Sequence, residues 1–306
     1  MVSARYLELV KARNSTKQGK LKKLKKPPKW LDPLNAERKY TLELYRYTFE
    51  IRKVISRVLI PKLPGWFAAG TITYPDPVLD SKRKDSIMDD ILAELDALLE
   101  IIDEILEPSE EEAIEEAQQI GIEVAAFNQG QYTKTVNSVL GVDIFLEEPY
   151  LLPQLELFAN QNAQLIQNMT DNELERVSGI IQRGLQEGSS LDSVTKNIEN
   201  SFGITRRHAK LIARDQTTKL NGSLTKLRQQ ELGIVEYRWQ TSGDERVRKT
   251  HRPLDGKICR WDDPTVYLNE ETGKWEKRST IGGTEVHTSQ DVNCRCQPIP
   301  IIEGIF

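Results

Sequence analysis

Five side chains able to hold a soft metal ion fall between positions 251 and 296: His251, Cys259, His287, Cys294 and Cys296. Thiolate sulfur and imidazole nitrogen are the donors that tetrahedral zinc prefers. If Cys294-Arg295-Cys296 is extended, both sulfurs point to one face and can share one ion. Gly282-Gly283 ahead of His287, and Asp291-Val292-Asn293 ahead of Cys294, supply the turns that would gather these groups. The preferred set is His251, Cys259, Cys294 and Cys296 around one structural zinc, with His287 as the alternate ligand. A disulfide inside Cys294-Arg295-Cys296 would close a strained ring. With three cysteines in 306 residues there is no disulfide framework, and a reducing compartment is expected.

A second constellation overlaps the first. The run from Trp239 to His251 holds Asp244, Arg246 and Arg248, and Leu254-Asp255-Gly256 lies just beyond it. One reading is a nuclease centre, a metal-dependent phosphodiesterase with Asp244 on a cation and His251 as base. A lone carboxylate holds Mg²⁺ poorly, however. The simpler reading is a structural network in which Arg246 and Arg248 pair with Asp244, Asp255 or Asp291 and brace a domain short of apolar residues. There is no phosphate-binding glycine loop, nucleophile elbow or kinase signature.

The elements that must position these groups predict an α+β fold: a mostly helical N-terminal and central region, then a small strand- and turn-rich C-terminal domain. Residues 36–60 pattern as a helix. Breakers between Pro61 and Pro77 mark a loop. Met88, Ile91, Leu95, Leu98, Ile102 and Ile105 recur at alternating spacings of three and four, a coiled-coil-like seam in an acidic helix over 85–107. Ser109 is placed to cap a second acidic helix from Glu110, and Gly130, Gly141 and Pro149 punctuate the chain from there to residue 150.

Residues 150–187 are helical, with a new start near Asp171 and an end at Gly188. Ser190 caps 191–200, and Thr205, beyond Gly203, caps a further helix to Leu232. That pair admits a helix-turn-helix reading with Arg206, Arg207, Lys210 and Arg214 toward DNA, although a plain helical hairpin is the commoner arrangement. Gly233 ends the helix, and Val235, Tyr237 and Trp239 alternate as a strand. The expected domains are a basic arm (1–35), a helical region (36–149), a second helical domain (150–233) and the C-terminal domain (234–306).

Charge is segregated. Nine Lys/Arg and no acid lie between Lys11 and Lys29, whereas fifteen Asp/Glu and no Lys or Arg lie between Asp85 and Thr133. Lys20, Lys22, Lys23, Lys25, Lys26 and Lys29, with Trp30 as a stacking group, suit sequence-blind contact with DNA phosphates. An arm docked on an acidic protein surface is the other reading. No stretch is long and apolar enough for a transmembrane helix, and residues 1–20 lack the apolar core of a secretory signal, so no membrane is expected as a partner.

Several blocks together resemble the phage head morphogenesis family, the Mu F-like minor head proteins of tailed bacteriophages. They are Ala213-Arg214-Asp215-Gln216, Leu220-Asn221, Gly233-Ile234 with Tyr237 and Trp239, Thr241-Ser242 with Asp244, Arg246, Arg248 and His251, Leu254-Asp255-Gly256, and Asn293-Cys294-Arg295-Cys296. Gly141-Val142-Asp143-Ile144 resembles the family's lead-in, and the motif-bearing part covers about 150–300. The resemblance implies a non-enzymatic virion protein in few copies, inside the head near the portal vertex. Its implied partners are the portal protein and packaged double-stranded DNA, with the major capsid or scaffolding protein as further candidates. Assembly would take place in the host cytoplasm. A DNA-binding regulator using the Arg206–Arg214 segment is the remaining alternative.

Overall fold

A computed structural model describes residues 29–70, 77–106, 110–140 and 148–301. Within them lie six α-helices, α1 (Leu34–Val58), α2 (Leu63–Gly70), α3 (Pro77–Leu106), α4 (Glu110–Leu140), α5 (Leu152–Gln186) and α6 (Leu191–Glu231). Five short strands come after them in the chain, β1 (Glu236–Gln240), β2 (Ile258–Arg260), β3 (Val266–Asn269), β4 (Lys274–Lys277) and β5 (Gln297–Pro300). The α+β expectation is correct. Among the described residues no helix is long and apolar enough to cross a membrane. The chain divides into two compact units, one of residues 38–117 and 160–213, the other of 1–37, 118–159 and 214–306.

The first unit is helical and its core is aliphatic. Ile51 and Ile55 of α1, Ile91, Leu95 and Ile102 of α3, Val177 and Ile181 of α5, and Val194 and Ile198 of α6 form one buried cluster. Each set repeats at helical spacing, so every helix presents one apolar stripe to the others. Of the seam read in α3, Ile91, Leu95, Leu98 and Ile102 pack into this core, whereas Ile105 is 57% exposed. One carboxylate is buried here: Glu173 of α5 accepts hydrogen bonds from Ser201, Thr205 and Arg176.

Four local expectations are corrected. The breaker-rich stretch after Pro61 contains α2, because Pro61 and Pro64 stand in first turns, where a missing N–H costs nothing. Gly130 lies inside α4. Helix α5 passes through Asp171 without a break, since Ile166, Met169, Glu173 and Val177 keep one buried stripe. Helix α6 likewise runs through Gly203: Ile198, Phe202, Thr205 and Ala209 stay on the inner face, and the Thr205 hydroxyl goes to Glu173 instead of capping. The two-helix motif therefore does not exist.

Other termini form where their residue types place them. The Ser193 N–H donates to Ser190 Oγ at 3.3 Å, the expected cap. Gly188 and Gly233 take φ of +66° and +72°, and the amide following each reaches back to Gly184 O and Gln229 O. Ser109, the Gly141–Ile144 lead-in, and Lys20, Lys22, Lys23, Lys25 and Lys26 lie outside the described residues.

The second unit carries the sheet, antiparallel in the order β4-β3-β2-β1-β5. Tyr237 and Trp239 point inward from β1, while Val235 precedes the strand and is exposed. The C-terminal part of α6 is tied to the sheet by amides. Gln229 donates to Pro298 O and accepts from Trp261 Nε1, both at 2.8 Å, and Asn221 donates to Gln297 at 3.3 Å. Buried Arg228 grips Glu148 through two bonds of 2.6 Å. Trp30 is buried, not available for stacking on a nucleic acid; its Nε1 donates to Thr135 at 3.1 Å and its ring meets Tyr132 edge-on.

Candidate metal centre

His251 is placed by local chain geometry. Its N–H closes a turn onto Arg248 O, and Leu254-Asp255-Gly256 then reverses the chain toward β2, with Gly256 at φ +76°. Asp255 stabilises the start of this excursion by accepting from the Thr241 N–H at 2.8 Å and hydroxyl at 2.9 Å. Cys294 and Cys296 lie in the non-strand segment that leads into β5. That segment is tied to α6 twice. The Asn293 N–H donates to Asp215 Oδ1 at 2.5 Å, with Asn293 in the left-handed region at φ +55°. Ser289 packs on Gly222 so closely that a Cβ at 222 would fall 2.4 Å from the serine Cβ. Only glycine permits that approach.

These supports bring three donors together. The Nδ1 of His251 lies 3.4 Å from Cys296 Sγ and 3.6 Å from Cys294 Sγ. One ligand atom from each of the three lies within 4.8 Å of the others, and all three residues are buried. The far ring nitrogen, Nε2, sits 2.8 Å from Asp291 Oδ2. A carboxylate on Nε2 fixes the tautomer that leaves Nδ1 as a free lone pair aimed at the sulfurs. Burial disfavours charge on the ring, but Cys294 and Asp291 outweigh it and raise the His251 pKa. The hydrogen bond from Cys296 lowers the Cys294 pKa and raises its own, so the pair holds one proton in preference to two. The Trp239 indole N–H, buried without an oxygen or nitrogen partner, favours charge on Cys296. A cluster of one imidazole and two thiols, with an indole and a carboxylate around it, can hold a metal ion.

The other two candidates lie apart from this cluster, Cys259 in a strand and His287 in a loop. Cys259 is mid-β2, in register with Tyr237 and Tyr267, and burial pushes its thiol up to about 11. His287 Nδ1 is 3.0 Å from the Tyr237 hydroxyl. Burial, with Lys226 and Arg278 nearby, lowers its pKa to about 4, so it is a neutral core side chain.

The charged groups divide similarly. Asp244 is held mainly by Arg295, at 2.7 Å, with Arg246 at 3.8 Å, and its carboxyl is lowered by the Arg295 hydrogen bond. Arg248 pairs with Asp291 at 3.7 Å and donates to Val292 O at 2.6 Å. Asp255 is engaged by Thr241 and not by either arginine of the expected network. Lys29 Nζ donates to Ser242 O at 3.2 Å. Sequence reasoning had not singled out Arg278, which is fully buried; it donates to Val266 O, Val286 O and the Tyr237 hydroxyl and lies 5.3 Å over the Trp239 ring. Nothing in its sequence neighbourhood signals burial. Nor was Asp291 weighed as a partner for His251, although its place just before the cysteines was a cue.

Residues 175–299 match the family model described as Phage Mu protein F like protein. An uncharacterized protein of Haemophilus influenzae is 28% identical over 58% of this chain and 37% of its own length. The NAD(+)--arginine ADP-ribosyltransferase EFV of Enterococcus faecalis is 26% identical over 63% of this chain and 35% of its own. The Minor head protein GP7 of Bacillus phage SPP1 is 26% identical over 50% and 46%. The chain thus spans less than half the length of each of these relatives. No solved structure matches it. The matched segment runs from the last part of α5 through α6 and nearly all of the sheet, including every donor of the metal cluster, so over residues 175–299 the chain is similar to the phage Mu protein F-like family.

Proposed function

We propose that this chain is a structural, non-catalytic minor head protein of a tailed bacteriophage, located inside the head near the portal vertex after assembly in the host cytoplasm. The observation that carries the reading is the family match over 175–299 together with the minor head relative. The portal protein is the proposed partner, with the major capsid or scaffolding protein as a further one. The basic arm, from Lys20 to Lys29, would contact packaged double-stranded DNA without sequence preference. Its binding would be steeply salt-dependent, because each phosphate contact releases a counterion.

In this reading His251, Cys294 and Cys296 hold one structural zinc. The fit rests on the donor chemistry and on two neighbouring groups, the buried Trp239 N–H that favours charge on Cys296 and the Asp291 carboxylate on His251 Nε2. The zinc would cross-link the segment before β5 to the turn after β1. Asp244, Arg246, Arg248 and Asp255 act as braces.

Co-expression with the cognate portal protein tests the main proposal. The two are expected to co-purify; failure to do so removes the portal assignment. If purified protein cuts DNA in Mg²⁺ or Mn²⁺ and Asp244→Ala abolishes cutting, the chain is a nuclease and the structural reading falls. Elemental analysis of protein made without chelator tests the metal, and less than about a tenth of an equivalent of zinc removes it, since such sites bind tightly.

A further inference from the structure

The helical unit carries two exposed surfaces that complement each other. The first is a groove of about 370 Å³ between α1 and α6, lined by Tyr45, Phe49 and Arg52 on one side and Glu199, Phe202 and Arg206 on the other. Phe49 is 61% exposed, and Leu42, two helical turns before it, is 65% exposed. The Arg206 guanidinium lies 4.4 Å over the Tyr45 ring, and that of Arg52 lies 6.0 Å from the Phe202 ring. The groove is thus aromatic at its floor and cationic at its edge, with Glu199 the one carboxylate in its lining.

The second surface is a ridge on α3. The helix buries Ile91, Leu95 and Ile102, and on its outer face Ala93, Ala97, Ile101 and Ile105 are exposed at successive spacings of four. Asp96, Glu100 and Glu104 run alongside, also exposed. Residues four apart on a helix form a continuous row, so this is an apolar strip bordered by an acidic one. Exposed isoleucines scattered singly need no explanation; a strip of four positions beside carboxylates matches the groove in both polarity and charge.

We infer that the ridge of one copy docks in the groove of a second copy, with Ile101 and Ile105 against Phe49 and Leu42 and the acidic row against Arg52 and Arg206. Because ridge and groove are different surfaces, the contact is head-to-tail, and each copy in an assembly can use both. The inference rests on neither the zinc nor the family assignment.

Sedimentation velocity of the full chain over a concentration series tests it. The parent is expected to self-associate with concentration and to dissociate as salt rises, since the charged part of the contact is solvent-facing. Phe49→Asp and Ile101→Asp should each raise the dissociation constant at least about tenfold. Both sites are exposed, so thermal melts should match the parent, and Leu42→Asp serves if Phe49→Asp does not fold. Mixed in equal amounts, Phe49→Asp (ridge intact) and Ile101→Asp (groove intact) should form a dimer that grows no further. A chain that stays monomeric at its solubility limit, association that both variants leave intact, or failure to complement on mixing overturns the inference. Loss of association on deleting residues 1–28 would assign it to the basic arm and overturn it equally.

Discussion

The two units solve the same stability problem with different materials. The helical unit buries an aliphatic cluster in which nearly every member comes from a helix long enough to offer a full apolar stripe. The sheet is built from strands of three to five residues, and its core contains Tyr237, Trp239, Trp261, Tyr267 and three cysteines. Such short strands cannot supply enough aliphatic surface. Stability there comes from groups that make directed contacts: Arg278 over Trp239, Gln229 between Trp261 and Pro298, and the His251 cluster. Apolar burial tolerates rearrangement, whereas directed contacts fail when one partner is lost. The two units should therefore respond to different insults.

The sharpest way to break this contrast is to remove the proposed zinc. At free zinc a thousandfold above its dissociation constant, a bound ion adds about 4 kcal/mol to the sheet. Chelation, or Cys294→Ser, should lower the stability of the sheet by that order and leave the helical transition in place. A denaturation monitored by tryptophan fluorescence and by helical circular dichroism would separate the two, and coincident loss of both signals would erase the distinction.

Leu95→Ala is the reciprocal test. Truncating a fully buried leucine costs about 3 kcal/mol. The loss should appear in the helical signal with zinc content unchanged.

A smaller effect is expected from Asp291→Asn. It keeps a group near His251 Nε2 but loses the carboxylate, and should weaken zinc binding about 10- to 100-fold with little change in the apo fold. Competition with a chromophoric chelator measures this, and an unaltered affinity would mean that Asp291 does not orient the ring.

The mildest test is acid. His287 is neutral in the fold with its pKa lowered to about 4, while an unfolded histidine titrates near 6.5. Its contribution is fully present above about pH 6.5 and is lost as pH falls toward 4, because the unfolded state takes up the proton first. His287→Gln should flatten the pH dependence of sheet stability across that window.

The difference between the units also explains what the sequence disclosed. Periodicity located the helices and the buried face of α3, because apolar spacing is the physical basis of that packing. It failed at Gly203 and Asp171, where a local breaker was overridden by a stripe that continues on both sides. The sheet was legible through residue chemistry more than pattern. His251, Cys294 and Cys296 stood out by type, yet spacing alone could not tell which of five donors share a locus. Register decides it, holding Cys259 beside Tyr237 in mid-strand. Arg278 was illegible because a buried guanidinium is recognised only by the carbonyls that surround it.

The close seat of Ser289 on Gly222 and the anchor from Asp215 to Asn293 bear on kinetics as well as shape. Both hold the segment before β5 through helix α6, using no ligand atom, so the three donors are arranged before any ion arrives. Loading would then be a capture event instead of a folding event, its speed set by passage through the covering side chains. Release of the proposed zinc, past the same covering side chains, would be slow.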